Sequence, residues 1–361
     1  MWGRKTLAVE TKSLEDVSAP ALCPPSKSLS NDMTKIKIRR AIHCLRATKD
    51  LSCGPAHPLS VPLASLQLGN TAGVAWNIAK ALESEECTTT VVELEPEQGE
   101  FPCDVSLHMA RGTARITRAV HFARIAKLAW ASDVVHFHFG IRPFARYLRR
   151  LSKAPFFVHY HGSDLREGMS DALRSLAVCE FVATPDLRRW APRAIWVPNP
   201  YPLPQPVKGP SSGKPVVGHF PSNPSKKGTS FITQKVREMQ RSLDFDYRVV
   251  SGVTQREAVQ EMAGCDIVID QLTEYGAYGM VSVEAMALGC VVLSSVDLDL
   301  FDRCPIIPLS FESFEERLSE VLVARHEWSE LGIRGREYVA RVHNPQAAAR
   351  TIIDQYAKHL S

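Results

Sequence analysis

The chain has 361 residues, 45% of them hydrophobic, and a formal net charge of +4. This length suits two domains with separate cores, and the small positive charge excludes the concentrated basic composition of a dedicated nucleic-acid-binding protein. The nine scattered cysteines argue against a disulfide framework and favour a reducing, cytoplasmic compartment.

The first part of the chain predicts one Rossmann-like domain behind an extension. Residues 1–58 mix Pro, Ser and charge without periodicity, which is typical of a poorly ordered segment. Strand and helix patterns then alternate over 59–200. The strands are predicted in VPLASLQLGN, TTTVVELEP, DVVHFHFG, PFFVHYHG and WVPNP. This alternation predicts βαβ units and a parallel sheet.

A second alternating series follows the proline-rich segment 198–215, which has the composition of a linker. It begins at VVGHF and predicts another Rossmann-like domain over 201–344. A last helix, 345–361, is expected to cross back to the first domain. The predicted fold class is therefore α/β, with two doubly wound domains that face a central cleft. No run of about 18 apolar residues predicts a membrane span.

Parallel sheets present ligand-binding groups where strands end and helices begin. The first such loop is GNTAG, in which Gly69 and Gly73 let the backbone approach a ligand, or simply form a turn. In the second series, Lys226 and Lys227 precede a helix start. Two ammonium groups beside a helix N-terminus suit a diphosphate, although a solvated lysine pair is the alternative.

Four histidines lie on two neighbouring strands as His-x-His pairs: His136, His138, His159 and His161. A zinc site is one interpretation, but no cysteine or carboxylate stands nearby at ligand spacing. A polar wall of the cleft is therefore preferred, and no metal is predicted. His161 ends its strand before Gly162, so we expect its side chain to reach into the cleft.

The stretch EYGAYGMVSVEAMALG (274–289) combines a glycine loop with a helix start. Gly276 and Gly279 open the loop, so that backbone donors can hold phosphate or sugar oxygens. Glu284, in the first helical turns, can accept hydrogen bonds from two vicinal hydroxyls such as those of a ribose. The alternative is that its charge only complements the helix dipole.

These motifs resemble the retaining glycosyltransferases of GT-B fold in the glycogen synthase-like, group 1 family. The resemblance rests on VVHFHFG, FVHYHGSDLR, TPDL with VPNP, KKGT and VEAMALGCVV, which follow in order over about 300 residues. It implies that a nucleotide-diphosphate sugar is the co-substrate, that no metal cofactor is needed, and that the acceptor is a glycan, a lipid-linked molecule or a small molecule.

The resemblance also implies roles for individual residues. Glu284 would bind the ribose and Lys227 the diphosphate, and His161 would contact the donor sugar from the opposite domain. Backbone groups of three loops would complete the site. These are Gly276 with Gly279 at the sugar and phosphates, Gly252 with Val253 at the base, and Gly69 with Gly73 at the phosphates and acceptor.

The chain departs from the family pattern at two positions. The usual motif has two glutamates separated by seven residues, and Gly276 stands where the first is expected, so Glu274 is the candidate substitute. The arginine usual before the KG lysine is also absent, with Lys226 as its candidate replacement. The alternatives to a transferase are thus a non-catalytic nucleotide-sugar-binding protein and a sugar-nucleotide epimerase.

The segment 111–130 reads as a helix that carries Arg111, Arg115, Arg118, Arg124 and Lys127 with apolar residues between them. Such a helix either lies on an anionic membrane or is an ordinary solvated surface helix. The first interpretation predicts peripheral membrane contact and a lipid-linked acceptor.

Overall fold

Two parallel sheets, one in each half of the chain, organise the molecule. The computed structural model describes residues 62–95, 101–107, 109, 112–205 and 213–360, so the predicted extension 1–58 lies outside the described residues. Every strand pairing in both sheets is parallel. The predicted α/β class with doubly wound sheets is confirmed.

The first sheet has seven strands in the order β3-β2-β1-β4-β5-β6-β7, so the chain starts in the middle and winds outward in both directions. The strands are β1 (Ala64–Leu68), β2 (Thr88–Glu93), β3 (Val105–Ser106), β4 (Val134–His138), β5 (Phe156–Tyr160), β6 (Ala177–Val182) and β7 (Ile195–Trp196). Strands β4 and β5 are buried along their whole length, as expected for the centre of a sheet covered on both faces.

The described part of this first half contains five α-helices: α1 (Val74–Glu83), α2 (Arg115–Ala131), α3 (Ala145–Leu151), α4 (Ser163–Arg166) and α5 (Asp171–Arg174). Helix α1 buries an apolar stripe, whereas α2 buries only Ile125 and Ala129 of its 17 residues. Helix α2 therefore presents most of its surface to solvent.

The second sheet has five strands in the order β12-β11-β10-β8-β9. These are β8 (Val216–His219), β9 (Asp246–Val249), β10 (Ile267–Ile269), β11 (Val291–Ser294) and β12 (Ile307–Pro308). The order again reverses, between β8 and β10, and such a switch point is where parallel sheets bind ligands. Helices α6 (Thr229–Met239), α7 (Gln255–Met262), α8 (Met280–Leu288), α9 (Phe314–Val323) and α10 (Trp328–Val342) follow the strands.

The last helix, α11 (Pro345–Leu360), packs against the first sheet although it follows the second. Its buried residues Ile352, Ile353 and Tyr356 share one core with Ile78 of α1 and Phe157 of β5. One face of the first sheet is thus completed by the end of the chain. Among the described residues, no helix is both long and apolar enough to cross a membrane.

Candidate functional site

Glu284 lies in α8 at the carboxyl edge of the second sheet. The helix begins after Gly279, whose backbone is extended, and ends at Gly289, whose left-handed φ of 84° closes it. The Glu284 side chain is buried, with 5% of its surface exposed. The pKa of this carboxyl is raised to about 7, chiefly by burial. A 2.6 Å hydrogen bond from Gln255 opposes the shift, and the charge of Asp270 adds to it. A buried carboxyl with one amide partner retains free acceptor positions for ligand hydroxyls.

Lys227 forms a buried ion pair at the same edge. Its ammonium lies 3.2 Å from Oδ1 of Asp270, which is fully buried, and it also donates to Oε1 of Gln271. The other Asp270 oxygen accepts hydrogen bonds from Ser282 Oγ at 2.7 Å and the Gly279 N–H at 2.8 Å. Burial alone would raise the pKa of Asp270, but the ammonium and these donors hold it below its ordinary value. Two of the three ammonium protons are engaged, so one is left for a ligand.

The glycine loop packs directly over this ion pair. A Cβ atom at Gly279 would lie 2.8 Å from the Lys227 ammonium and 3.1 Å from Oδ2 of Asp270, so a larger residue here would displace the ion pair. Gly276 has a φ of 68°, a conformation that favours glycine. The loop is anchored by Tyr278, whose hydroxyl lies 3.0 Å from Nε2 of His343. Glu274, the candidate for the missing family glutamate, is exposed and holds no described ion pair.

The segment with Gly252 and Val253 is exposed and lies directly before α7, which carries Gln255. The hydrogen bond from Gln255 to Glu284 therefore ties the start of this helix to α8. Val253 keeps 38% of its surface exposed. The predicted contact of this segment with a base stays a prediction.

Lys226 is engaged with the other half of the molecule. Its ammonium lies 2.9 Å from Oε1 of Glu167, just after α4, and both side chains are exposed. Next to this pair, the Arg166 guanidinium lies 4.3 Å from the ring centre of Tyr275 in the glycine loop. These two contacts join the residues after β5 to the loops of the second sheet. Glu167 engages one of the three ammonium protons of Lys226, so the others are left for a ligand.

His161 lies where β5 ends, at the boundary between the two halves. Its Nδ1 lies 3.0 Å from the Asn199 side-chain oxygen, and the Asn199 amide donates to Sδ of Met280 at the start of α8. Burial lowers the pKa of His161 to about 4, although the Asn199 contact opposes the shift. The ring is therefore neutral near pH 7. Its other nitrogen, Nε2, lies 3.3 Å from Nδ1 of His138, so a sugar hydroxyl would have to replace one of these two partners.

The other three histidines do not form the polar cleft wall that the sequence suggested. His136, His138 and His159 are at most 2% exposed, because α11 covers this face of the sheet. Nδ1 of His136 lies 2.6 Å from the hydroxyl of Tyr356, on that helix. Burial lowers the pKa of all three rings. The strand alternation predicted the correct shared face but could not show what covers it.

These three rings also bring nitrogens within 4.8 Å of one another. His136 is stacked on His138 and His159, with angles of 20° and 18° between ring planes. An imidazole lone pair lies in the plane of its ring, so nearly parallel rings do not direct their lone pairs at one point. This arrangement does not suit a common metal ion.

The loop after β1 holds Gly69 and Gly73, but their N–H groups are occupied. The Gly69 N–H donates to Val92 O at 2.8 Å, and the Gly73 N–H donates to Asn70 O at 3.3 Å. A Cβ atom at Gly69 would lie 2.7 Å from the carbonyl oxygen of His138. Both glycines thus serve the packing of the loop, and contact with phosphates or acceptor stays a prediction.

Sequence reasoning missed three residues of this region. Asp270 directly follows β10, so the rule that identified the glycine loop would also have found it. Asn199 and Gln255 carried no such signal. They matter because they contact His161 and Glu284, which lie 38 and 29 residues away in the sequence.

No model of a known protein family matches the chain, and no curated protein matches it in sequence. Solved structures do resemble it. A glycosyltransferase from Rickettsia africae has a TM-score of 0.60 at 11% identity, over 83% of this chain and 99% of its own. Anabaena Alr3699/HepE, in complex with UDP and glucose, has a TM-score of 0.59 at 12% identity, over 82% of this chain and 100% of its own. The chain thus has the GT-B architecture, with two Rossmann-like halves.

Proposed function

We propose that the protein is a glycosyltransferase that takes its sugar from a nucleotide-diphosphate sugar. The observation that carries the proposal is the position of Glu284, Lys227 and the Gly276–Gly279 loop together at the carboxyl edge of the second sheet, with His161 entering from the first. Anabaena Alr3699/HepE, which shares the fold, was solved with UDP-glucose bound. The family motifs quoted above support the same proposal, in the retaining group 1 family.

The residues suggest how the donor is held. The Glu284 carboxylate accepts hydrogen bonds from the two ribose hydroxyls, and Gly252 and Val253 lie beside the base. The free proton of Lys227 and the N-terminus of α8 face the diphosphate, so they stabilise the charge that develops on it as the sugar leaves. The neutral His161 contacts the sugar. In this proposal the hexosyl transfer retains configuration and needs no metal.

Donor binding is tested by calorimetric titration of a panel of nucleotide-diphosphate sugars. We expect one donor to bind the wild-type protein and Glu284→Gln to abolish that binding. The matched control is Glu261→Gln, an equal change on the exposed surface of α7, which should bind as the wild type does. If no donor binds the wild-type protein, the proposal is wrong.

Turnover of the bound donor separates the transferase from its alternatives. A transferase releases the nucleoside diphosphate faster when an acceptor is added, and a chelator leaves the rate unchanged. An epimerase forms the epimeric donor without any acceptor. A non-catalytic binding protein holds the donor unchanged. The anomeric configuration of the product, read by NMR, tests retention.

We also propose that helix α2 makes peripheral contact with an anionic membrane, as the basic segment 111–130 predicted; Arg111 lies outside the described residues. Ile116 and Val120 of this helix are 76% and 62% exposed. Exposed apolar residues beside arginines are typical of interfacial helices. Sedimentation with phosphatidylglycerol vesicles should fall steeply as salt is raised, and absence of binding at low salt contradicts the proposal.

A further inference from the structure

The surface formed by α2 and α3 is strongly basic. Between residues 112 and 153 the chain has one carboxylate, Asp133, whose side chain accepts the N–H of Ala64. The same stretch carries nine basic side chains: Arg115, Arg118, Arg124, Lys127, Arg142, Arg146, Arg149, Arg150 and Lys153. The net charge of the whole chain is only +4. The positive charge is therefore concentrated on this surface, where it attracts an anion.

A cavity of about 640 Å³ opens within this surface. Helix α2 contributes Arg115, Arg118, Ala119 and Phe122, which share one helical face because they are spaced three and four residues apart. The segment from Arg142 to Tyr147, including Pro143 and Phe144, also lines the cavity, together with Leu94, Glu95 and Met109. Most of the lining residues are thus apolar or aromatic, and three arginines and Glu95 complete the lining.

The arginines of the cavity are poorly neutralised. Among the described residues, no carboxylate pairs with Arg115 or Arg118, and Arg142 has only Glu95, at 3.6 Å. Within the described part of the chain, the Nε atom of Arg142 is buried without a hydrogen-bond partner. A buried guanidinium nitrogen left unsatisfied in the free protein favours a ligand that supplies an acceptor oxygen.

The cavity opens at the carboxyl edge of the first sheet, because Leu94 follows β2 and Arg142 follows β4. The Gly69 loop, between these strands in the sheet, lies at the same edge. The cavity is also bordered by exposed apolar side chains. Tyr147, which lines the cavity, and Leu151, one turn further along α3, are 62% and 55% exposed. A ligand that enters from an apolar phase would meet these residues first.

We infer that this cavity binds the acceptor and that the acceptor is a membrane lipid with a phosphate-bearing head. The inference rests on the proposed glycosyltransferase function. The phosphate lies among Arg115, Arg118 and Arg142, where a guanidinium fork matches its oxygens. The first carbons of the lipid chain contact Phe122 and Phe144, and the rest of the chain stays in the bilayer beside Tyr147 and Leu151.

The test uses hexyl phosphate, a soluble mimic that combines both features, together with inorganic phosphate and hexanol, which carry one feature each. Calorimetry on the full chain should show hexyl phosphate binding at least about tenfold more tightly than either. Compared with inorganic phosphate it buries two or more methylene groups, and compared with hexanol it adds charge-assisted hydrogen bonds to the arginines. Arg118→Gln should weaken binding by about tenfold, as loss of a charge-assisted contact does. Arg124→Gln, the same change on the same helix outside the cavity lining, should leave it unchanged.

A second variant tests whether the ligand occupies the cavity itself rather than binding to the surface arginines by charge alone. Ala119→Leu keeps every arginine and fills part of the cavity, so it should weaken hexyl phosphate binding while vesicle binding stays unchanged. The inference is overturned if hexanol or phosphate alone binds as tightly as hexyl phosphate, or if Arg118→Gln and Arg124→Gln behave alike. Donor titrations on the same samples distinguish the two proposals. If a donor binds and hexyl phosphate does not, the assignment of the cavity to the acceptor is wrong, but the transferase proposal stands. If hexyl phosphate binds and no donor does, the transferase proposal is wrong, and the bound lipid phosphate cannot be its acceptor.

Discussion

The ion pair between Lys227 and Asp270 allows a quantitative prediction about stability. Lys227→Met removes the ammonium and leaves the fully buried Asp270 carboxylate with only the donors of Gly279 and Ser282. Breaking a buried pair from one side costs about 3–5 kcal/mol. The Lys227 side chain is 17% exposed and two neutral donors remain, so we expect about 3 kcal/mol, the lower end of that range.

A second substitution should recover most of this loss. Both remaining donors bond to the same oxygen, Oδ2, while Lys227 contacts Oδ1. In Lys227→Met with Asp270→Asn, the amide oxygen can occupy the Oδ2 position and keep both hydrogen bonds. The uncompensated charge is then gone. The double variant should therefore lie within about 1 kcal/mol of the wild type.

The assay is urea unfolding followed by circular dichroism at neutral pH. Lys226→Met is the matched control, since Lys226 and Glu167 are 62% and 67% exposed and an exposed pair contributes less than about 1 kcal/mol. The pH dependence gives an independent check. The wild-type pKa of Asp270 is lowered, so the pair's stabilisation is present above the ordinary aspartate pKa and is lost as pH falls through the lowered value.

In Lys227→Met, the ammonium no longer opposes the effect of burial on Asp270, so the folded protein binds a proton there more readily. The loss of stability in this variant should therefore shrink as pH falls towards about 4, where the unfolded chain also binds this proton. The reasoning is refuted if Lys227→Met costs no more than Lys226→Met, or if Asp270→Asn does not recover the loss in the double variant.

Three further predictions concern stability. Burial raises the pKa of Glu284 from 4.5 to about 7, so its charge destabilises the unliganded fold increasingly above pH 4.5. Glu284→Gln should therefore raise the free energy of unfolding by up to about 3 kcal/mol at pH 8 and by almost nothing at pH 4. Equal shifts of the thermal midpoint at both pH values would contradict this. Tyr356→Phe removes two buried hydrogen bonds and should cost about 1–3 kcal/mol in urea unfolding, whereas Tyr147→Phe, exposed at 62%, should cost almost nothing. Gly69→Ala should lower the midpoint of thermal unfolding, because its φ is 91° and the new Cβ would lie 2.7 Å from the carbonyl oxygen of His138; an unchanged midpoint would show that the loop relaxes freely.

Strand ends were the part of the site that sequence could predict. Glu284, Lys227 and the loop around Gly276 each follow a strand of the second sheet, so the topology of a parallel fold brings them to one edge before any contact is known. The alternation of strands and helices was sufficient for the fold class for the same reason, since each βαβ unit is local in sequence.

Long-range contacts were the part that sequence could not predict. The role of His136 depends on Tyr356, 220 residues later, and the alternation of a strand does not reveal which helix covers it. Lys226 looked free because its partner, Glu167, stands 59 residues earlier in the other half. A contact of this kind depends on how the two halves meet, for which local patterns carry no signal.

The return of α11 to the first sheet has a consequence for biosynthesis. The residues that seal the core around Phe157 are Ile352, Ile353 and Tyr356, which are synthesised after both sheets. The first sheet is translated early, yet one of its faces stays open until α11 has been made. The second sheet encloses its own core and can finish folding first, although it is made later. Vectorial synthesis normally favours the N-terminal domain, whereas here the first sheet must wait for α11. A nascent chain stalled before α11 should therefore expose a face lined with aromatic and histidine side chains.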